Sequence, residues 1–214
     1  MNYLDEQFVD VDVILRRGGH VNRSNLVAYD WLCANHDDLK GFYANYGAVL
    51  TQHPDGFFFL ATPGTKLRSR LLPKTCIHLG MFIALKARDP EITRTSGWLQ
   101  TAQLLHDIET TVSKDVLQQI YAPGRKENVV DERIASAIEA ALKLLNELCF
   151  IELKGERFRA LEAINRFAEF ARHDNAPDEV AKTKMVLERG VVFHDAAPAE
   201  EYEDESHGAD EPQD

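Results

Sequence analysis

The chain has 214 residues, of which 44% are hydrophobic and 28% charged, a composition that predicts one large folded domain or two small ones. Its formal charge of −11 is uneven: the segment from Asp195 to Asp214 holds nine acids and no Lys or Arg, and subtracting them leaves −2 for the rest. Three scattered cysteines without a Cys-x-x-Cys pair argue against a disulfide framework or zinc ribbon. An N-terminus without a basic region and a longest apolar run of ten residues, Cys76 to Leu85, predict a cytoplasmic protein without secretory signal or membrane span.

The first third of the chain predicts helices followed by a hairpin. A helix from Leu4 to about Arg17 ends at Gly18-Gly19, and a short extended piece follows. Two further helices are predicted, one capped by Asn22 or Ser24 and one that begins after Asn35 and ends at Gly47. The strands of the hairpin are 48–53 and 57–61, joined by Pro-Asp-Gly.

The middle of the chain predicts the same order a second time. A buried helix, 73–87, is apolar nearly all round. A helix from Thr95 to about Val112, with Trp98, Leu99, Ala102, Leu105 and Ile108 as its inner face, precedes a third helix whose face runs from Ile134 to Leu148. A hairpin, 149–153 and 157–161, follows.

These elements predict a mainly α fold with small β-wings, built as two tandem winged-helix domains. The predicted domains cover 1–64 and 65–162, followed by C-terminal helices at 163–192 and a disordered acidic tail at 193–214. Helices are expected at 162–173 and 177–189. The tail lacks the apolar residues that would offset the entropy lost on ordering it.

No sequence motif indicates an enzyme. The chain lacks a phosphate-binding loop, a Gly-x-Gly-x-x-Gly turn, a Gly-x-Ser-x-Gly elbow and a His-Glu-x-x-His pair. Asp37 and Asp38, next to His36, suit the N-terminus of a helix better than a metal site. We therefore predict a protein without catalytic residues, metal or cofactor.

The predicted recognition helices are poorly suited to reading DNA. The helix 36–46 holds two acids and one base, and the stretch 127–152 holds two bases against six acids, so phosphates would be repelled from both. The first of these helices carries Phe42, Tyr43 and Tyr46, which are typical of protein interfaces and predict partner binding.

Basic residues lie outside these helices. Arg157 and Arg159 alternate on the second wing and so face one side, with Lys154 at the turn. Together with other basic positions they form the predicted sequence-independent contacts with DNA phosphates, namely Lys154, Arg157, Arg159, Arg166, Arg125, Lys126, Lys66, Arg68 and Arg70.

Several segments resemble the MukE family, which includes MksE-type relatives. They are LRRGGHV at 15–21, GFYANYGAVL at 41–50, PDGFFFL at 54–60, KLRSRLLP at 66–73 and the stretch 156–190. The resemblance covers about two-thirds of the chain and is weak between 88 and 128. It implies a homodimeric accessory subunit of a MukBEF-type condensin. Such a subunit binds the kleisin MukF and, through it, the SMC ATPase MukB, and it acts in chromosome condensation and segregation at the nucleoid.

Two alternative functions stay open at this point. One is a winged-helix transcriptional repressor, which would need a basic recognition helix. The other is a subunit of a related plasmid-defence SMC complex, which a nuclease gene alongside would mark.

Overall fold

The computed structural model describes residues 6–63, 66–67, 71–94, 96–123 and 130–168. These residues are mostly helical and form two three-stranded antiparallel sheets, which confirms the predicted mainly α class with small sheets. The helices are α1 (Glu6–Arg16), α2 (Leu26–Ala34), α3 (His36–Ala44), α4 (Lys74–Lys86), α5 (Pro90–Arg94), α6 (Thr101–Thr111), α7 (Lys114–Tyr121), α8 (Val130–Glu147) and a 3-10 helix (Glu162–Ala168). The strands are β1 (Val21–Asn22), β2 (Val49–His53), β3 (Phe57–Ala61), β4 (Trp98–Gln100), β5 (Ile151–Lys154) and β6 (Arg157–Ala160). None of the described helices combines the length and apolarity needed to cross a membrane.

The N-terminal elements enclose one hydrophobic core. Phe8, Val11 and Leu15 from α1 are buried in it, at the helical spacing expected from the sequence. The sheet has the order β1-β3-β2, and the β2–β3 hairpin turns at Gly56, whose φ of +90° favours glycine. The hairpin is therefore confirmed, with strands at 49–53 and 57–61.

The second core is built around α4. This helix packs against α8 and the 3-10 helix, and Leu79, Phe82 and Ile83 are fully buried. The second sheet has the order β4-β6-β5 and covers this core with Leu99, Phe158 and Leu153, which lie in register. The buried central helix and the second hairpin are thus both as predicted.

The prediction of a helix from Thr95 is wrong for its first residues. Ser96 and Gly97 have φ of 62° and 73° and form a turn, after which Trp98–Gln100 is a strand paired with β6. The helix α6 begins only at Thr101, and its buried residues are Leu104 and Ile108. Strand pairing with a distant segment decided the conformation here, which the helical spacing of apolar residues could not show.

Other differences concern helix starts and short helices. Asn25, not Asn22 or Ser24, caps α2 by accepting a hydrogen bond from the backbone N–H of Ala28 at 3.4 Å. Asn35 precedes α3 as expected, but its side chain donates to the carbonyl of Trp31 in α2. The helix α7, which the sequence analysis missed, buries Leu117, Ile120 and Tyr121.

The segment after the second hairpin begins as a 3-10 helix, Glu162–Ala168, rather than as the predicted α-helix. The rest of the predicted C-terminal helices and the acidic tail lie outside the described residues.

Candidate nucleic-acid interface

The outer face of the second sheet carries the basic residues predicted for the wing. In β6, Phe158 points into the core and is fully buried, so Arg157 and Arg159 point outward. The strand register places Arg159 between Trp98 and Glu152, and Arg157 between Gln100 and Lys154. The sheet thus presents two rows of polar side chains to one side. We call the four side chains Trp98, Lys154, Arg157 and Arg159 the cationic face.

Trp98 lies on the edge strand β4, and its ring is close to all three cations of the cationic face. The guanidinium carbons of Arg157 and Arg159 lie 4.8 and 5.3 Å from the centroid of its ring, and the Lys154 amine lies 5.6 Å away. All three distances are within the range in which an aromatic ring attracts a cation. One ring therefore holds three positive charges close together.

Glu152 is the acid that shares this surface. Its carboxylate pairs with Lys154 and with Arg159, both at 2.5 Å. The hydrogen bond from Lys154, followed by that from Arg159, lowers the pKa of Glu152, so the carboxylate is ionised at neutral pH. Arg157 is exposed and has no acidic partner within the described ranges. Three cations and one anion leave two positive charges on this side of the sheet.

The other described basic candidates make their contacts with residues outside the cationic face. Lys66 donates to the carbonyl of Asn45, at the end of α3. Arg166, which was expected to extend the wing, stacks on Phe59 at 4.1 Å and donates to His20 at 2.8 Å. That expectation is therefore corrected: this guanidinium joins the two cores. Four further candidates, Arg68, Arg70, Arg125 and Lys126, lie outside the described residues.

Sequence reasoning missed the role of Trp98 because it placed this residue inside a helix. The signal was present in Ser96-Gly97, a turn-forming pair that interrupts the predicted helix just before Trp98. Only pairing with β6 brings Trp98 beside residues that are some sixty positions away in the chain, such as its register partner Arg159.

The aromatic residues predicted to bind a partner differ in their accessibility. Tyr43 is fully buried, and its hydroxyl donates to Asp12 at 3.0 Å. Burial, followed by the nearby negative charge of Asp12, raises the pKa of Tyr43. Its assignment as a partner contact is therefore wrong, because its position on α3 faces the core. Phe42 and Tyr46 are half-buried, and Arg16 lies 4.5 Å from the ring of Tyr46.

A polar contact joins the two cores close to the cationic face. His20 Nδ1–H donates to the carbonyl of Leu148 at 2.9 Å, and Nε2 accepts from Arg166. Asn22 donates to the carbonyl of Cys149 and accepts from the N–H of Ala163, both at 2.8 Å. Between the two units lies a cleft of about 370 Å³ whose wall includes Arg159. The position of the second sheet relative to the first core thus depends on buried hydrogen bonds.

His20 is held in its neutral form in this contact. Burial lowers its pKa most, the hydrogen bond to the Leu148 carbonyl raises it and the charge of Arg166 lowers it, so that the pKa of His20 is about 3. Protonation of Nε2 would also remove the lone pair that accepts from Arg166. The folded protein therefore excludes a proton that the unfolded chain accepts.

Acidification is accordingly expected to weaken the native fold more than that of a His20→Gln variant. The pKa of His20 is about 3 in the folded protein, against 6.5 for an unperturbed histidine, so between these pH values only the unfolded chain takes up the proton. The stabilisation present above that pH is lost progressively, by about 2 kcal/mol between about pH 7 and pH 5. Urea denaturation of both proteins at both pH values measures the difference in this loss. Equal losses in the two proteins would contradict this assignment.

Comparison with known proteins gives a consistent family. The family described as "Condensin complex protein MksE" matches residues 6–172. Among curated relatives, the chromosome partition protein MukE of Vibrio cholerae is 26% identical over 91% of this chain and 85% of its own length. MukE of Histophilus somni is 26% identical over 94% of this chain and 81% of its own length, and that of Haemophilus influenzae 24% over 95% and 88%. The match includes both cores and the cationic face.

Proposed function

The chain belongs to the MksE family of condensin complex proteins, and we propose from this that it is a non-enzymatic accessory subunit of a MukBEF-type SMC complex. Its relatives are named chromosome partition proteins, and a role in chromosome condensation and segregation follows for this chain. It would bind a MukF-like kleisin and, through it, a MukB-like SMC ATPase. The subunit would act at the nucleoid as a homodimer and would have no catalytic site of its own.

We also propose that the two cores are tandem winged-helix domains, with the boundaries 1–64 and 65–162. The order α1, β1, α2, α3 and the β2–β3 hairpin supports this in the first unit, where β1 adds to the hairpin as a third strand. In the second unit, α6, α7 and α8 precede the β5–β6 hairpin, to which β4 adds in the same way. Each hairpin is then a wing, with the cationic face on the second.

The kleisin contact is expected on the first unit. Phe42 and Tyr46 on α3 are partly accessible aromatic side chains, a residue type that is enriched at protein interfaces. The same helix presents Asp37 and Asp38 at its start, and these acids would oppose binding to a phosphate backbone.

The cationic face supports weak DNA binding that does not depend on sequence. Its charges lie on strands of a wing and not on a helix that enters the major groove, so they suit phosphates better than base edges. The preceding helix α8 exposes Glu132, Glu139 and Glu147, which would repel phosphates. This distribution of charge is the observation that favours a complex subunit over the repressor.

Neutralising the wing is expected to weaken binding to duplex DNA. The double variant Arg157→Ala and Arg159→Ala should lose about tenfold in affinity and lower the salt dependence of binding by about two counterions. Fluorescence anisotropy with labelled duplexes of unrelated sequence, at several salt concentrations, measures both. The matched control is Arg133→Ala, which removes one exposed arginine from α8 and should change little. Tight binding of the native chain to a single operator sequence would instead favour the repressor.

Plasmid defence by a related SMC complex is the second candidate function. Its physical requirements are the same, since it also needs a kleisin contact and phosphate binding. A nuclease gene next to this one would favour defence, and its absence would favour chromosome partition.

A further inference from the structure

We infer that Trp98 acts in DNA binding in two ways: it positions the cations of the second wing and donates a hydrogen bond from its indole to a backbone phosphate of duplex DNA. This inference rests on the proposed binding of DNA by the cationic face. Trp98 is not one of the basic residues of that face, and it lies on β4, whereas the three cations lie on β5 and β6.

The positioning role follows from the geometry around the ring. Lysine and arginine side chains are long, and holding one of them at a ligand costs conformational entropy. The ring of Trp98 contacts cations from both rows of the sheet, Arg159 in its own row and Arg157 and Lys154 in the next. Since part of their freedom is lost before DNA arrives, less remains to be lost on binding.

The ring shares its cations with Glu152. This carboxylate lies on β5, where it pairs with Lys154 of its own strand and with Arg159 of β6. Trp98 lies on the opposite edge strand of the sheet, with Arg159 between the two in register. Within the described residues, Lys154 and Arg159 are thus held by both the ring and the carboxylate, whereas Arg157 is held by the ring.

The hydrogen-bonding role follows from the indole N–H. Trp98 is partly exposed, and its Nε1–H donates to no acceptor within the described ranges. An indole nitrogen is only ever a donor, and here the donor lies among three cations. These positively charged surroundings favour an anionic oxygen as the acceptor.

The shape of the face favours a polymer of phosphates over a single small anion. The cations lie on the open side of a sheet, and successive outward residues of one strand are about 6.6 Å apart. Arg157 and Arg159 are two such residues on β6, and Lys154 lies beside Arg157 on β5. Duplex DNA offers a regularly spaced row of phosphates along each strand, so different phosphates can contact different cations of the face at the same time.

Three variants test the inference by equilibrium binding to a labelled duplex. Trp98→Ala removes both the ring and the donor and should weaken binding about fivefold, and Trp98→Phe, which keeps a ring, should weaken it about twofold. Neither should change the salt dependence of binding, because no cation is lost, whereas Arg157→Ala should lower it by about one counterion. Trp31→Phe is the control, since Trp31 packs on Phe8 in the first core.

Fluorescence gives a second readout that a merely structural role would not move. The chain has two tryptophans, so Trp31→Phe leaves Trp98 as the single tryptophan whose emission is followed. Duplex DNA should shift its emission and protect it from acrylamide. Trp98→Phe leaves Trp31 instead, whose quenching DNA should not alter.

The outcomes separate the inference from the function on which it rests. If Arg157→Ala weakens binding while both Trp98 variants, folded by circular dichroism, bind like the native chain and DNA leaves acrylamide quenching unchanged, the inference is wrong and the function stands. If the native chain does not bind duplex DNA at all, both are wrong. Loss of affinity in the order Trp98→Ala, Trp98→Phe, native, together with protection from acrylamide, supports the inference.

Discussion

Replacing Gly80 with alanine should destabilise the protein by about 2 kcal/mol, although alanine is by about 1 kcal/mol the better helix former. Gly80 lies in the middle of α4, and a Cβ atom placed on it would lie 2.6 Å from the Phe167 ring of the 3-10 helix. Such a contact forces the ring or the helix to move. The expected decrease in the free energy of unfolding is the cost of that movement minus the gain in helix propensity.

The same substitution at Gly41 is the matched control. Gly41 lies in α3, is exposed, and has open space around its Cα. With no clash, only helix propensity remains, so Gly41→Ala should stabilise the protein by up to about 1 kcal/mol. Urea denaturation of the two variants measures both shifts, and stabilisation by both would contradict the contact in α4.

A second substitution locates the cause of the Gly80 effect. Phe167→Leu alone should destabilise the protein because it removes buried aromatic surface. Combined with Gly80→Ala it should cost less than the sum of the two single changes, since the ring that clashes is gone. Simple additivity in this double-mutant cycle would mean that the ring and the glycine do not interact.

Replacing Asn22 with alanine should cost about 2–4 kcal/mol, because it leaves the buried N–H of Ala163 and the partly buried carbonyl of Cys149 without their side-chain partner. Asn22 is 3% exposed, and its amide satisfies the carbonyl of Cys149 and the N–H of Ala163. Within the described ranges, no other side chain forms a hydrogen bond with the Cys149 carbonyl or the Ala163 N–H. The measurement is again equilibrium denaturation in urea, where a changed slope would show that the two cores no longer unfold together.

Asn22→Asp and Asn45→Ala complete this experiment. Aspartate keeps the acceptor for Ala163 but places a negative charge against the Cys149 carbonyl, so it should not restore stability. Asn45 makes a comparable hydrogen bond to the carbonyl of Gly41, but on an exposed surface, where its removal should cost less than about 0.5 kcal/mol. Equal effects of Asn22→Ala and Asn45→Ala would show that burial of the contact is unimportant.

Local patterns were sufficient to predict much of the fold. The spacing of Phe8, Val11 and Leu15 identified α1, and the Pro-Asp-Gly and Lys-Gly-Glu turns identified both hairpins. The chain signals these elements within a few residues, through helical period and turn chemistry. The helix α4 was evident for a similar reason, because it is apolar on all sides and hence central.

Features that depend on distant contacts could not be predicted in the same way. Trp98 has the spacing of a helical residue and is a strand residue only because β6 pairs with it. Asn22 is a reasonable helix cap by type, yet its side chain reaches residues more than one hundred and twenty positions away. Arg166 is basic like its neighbours in the wing, but it contacts Phe59 and His20 of the N-terminal elements.

Sequence patterns predicted only part of the candidate site, again because some of its features depend on distant contacts. Alternation along one strand correctly placed Arg157 and Arg159 on one side, since period two is a local property. Tyr43 was misjudged because the sequence does not show which side of α3 faces the core; burial of this residue between Asp12 and the first sheet decides that.

The central claim is membership of a working SMC complex, and light scattering of the purified chain with and without its MukF-like kleisin tests it most directly. We predict a homodimer when the chain is measured by itself and a larger, stable assembly when the kleisin is present. A chain that stays at the same mass in the presence of the kleisin, while it binds one DNA sequence tightly at physiological salt, would contradict it.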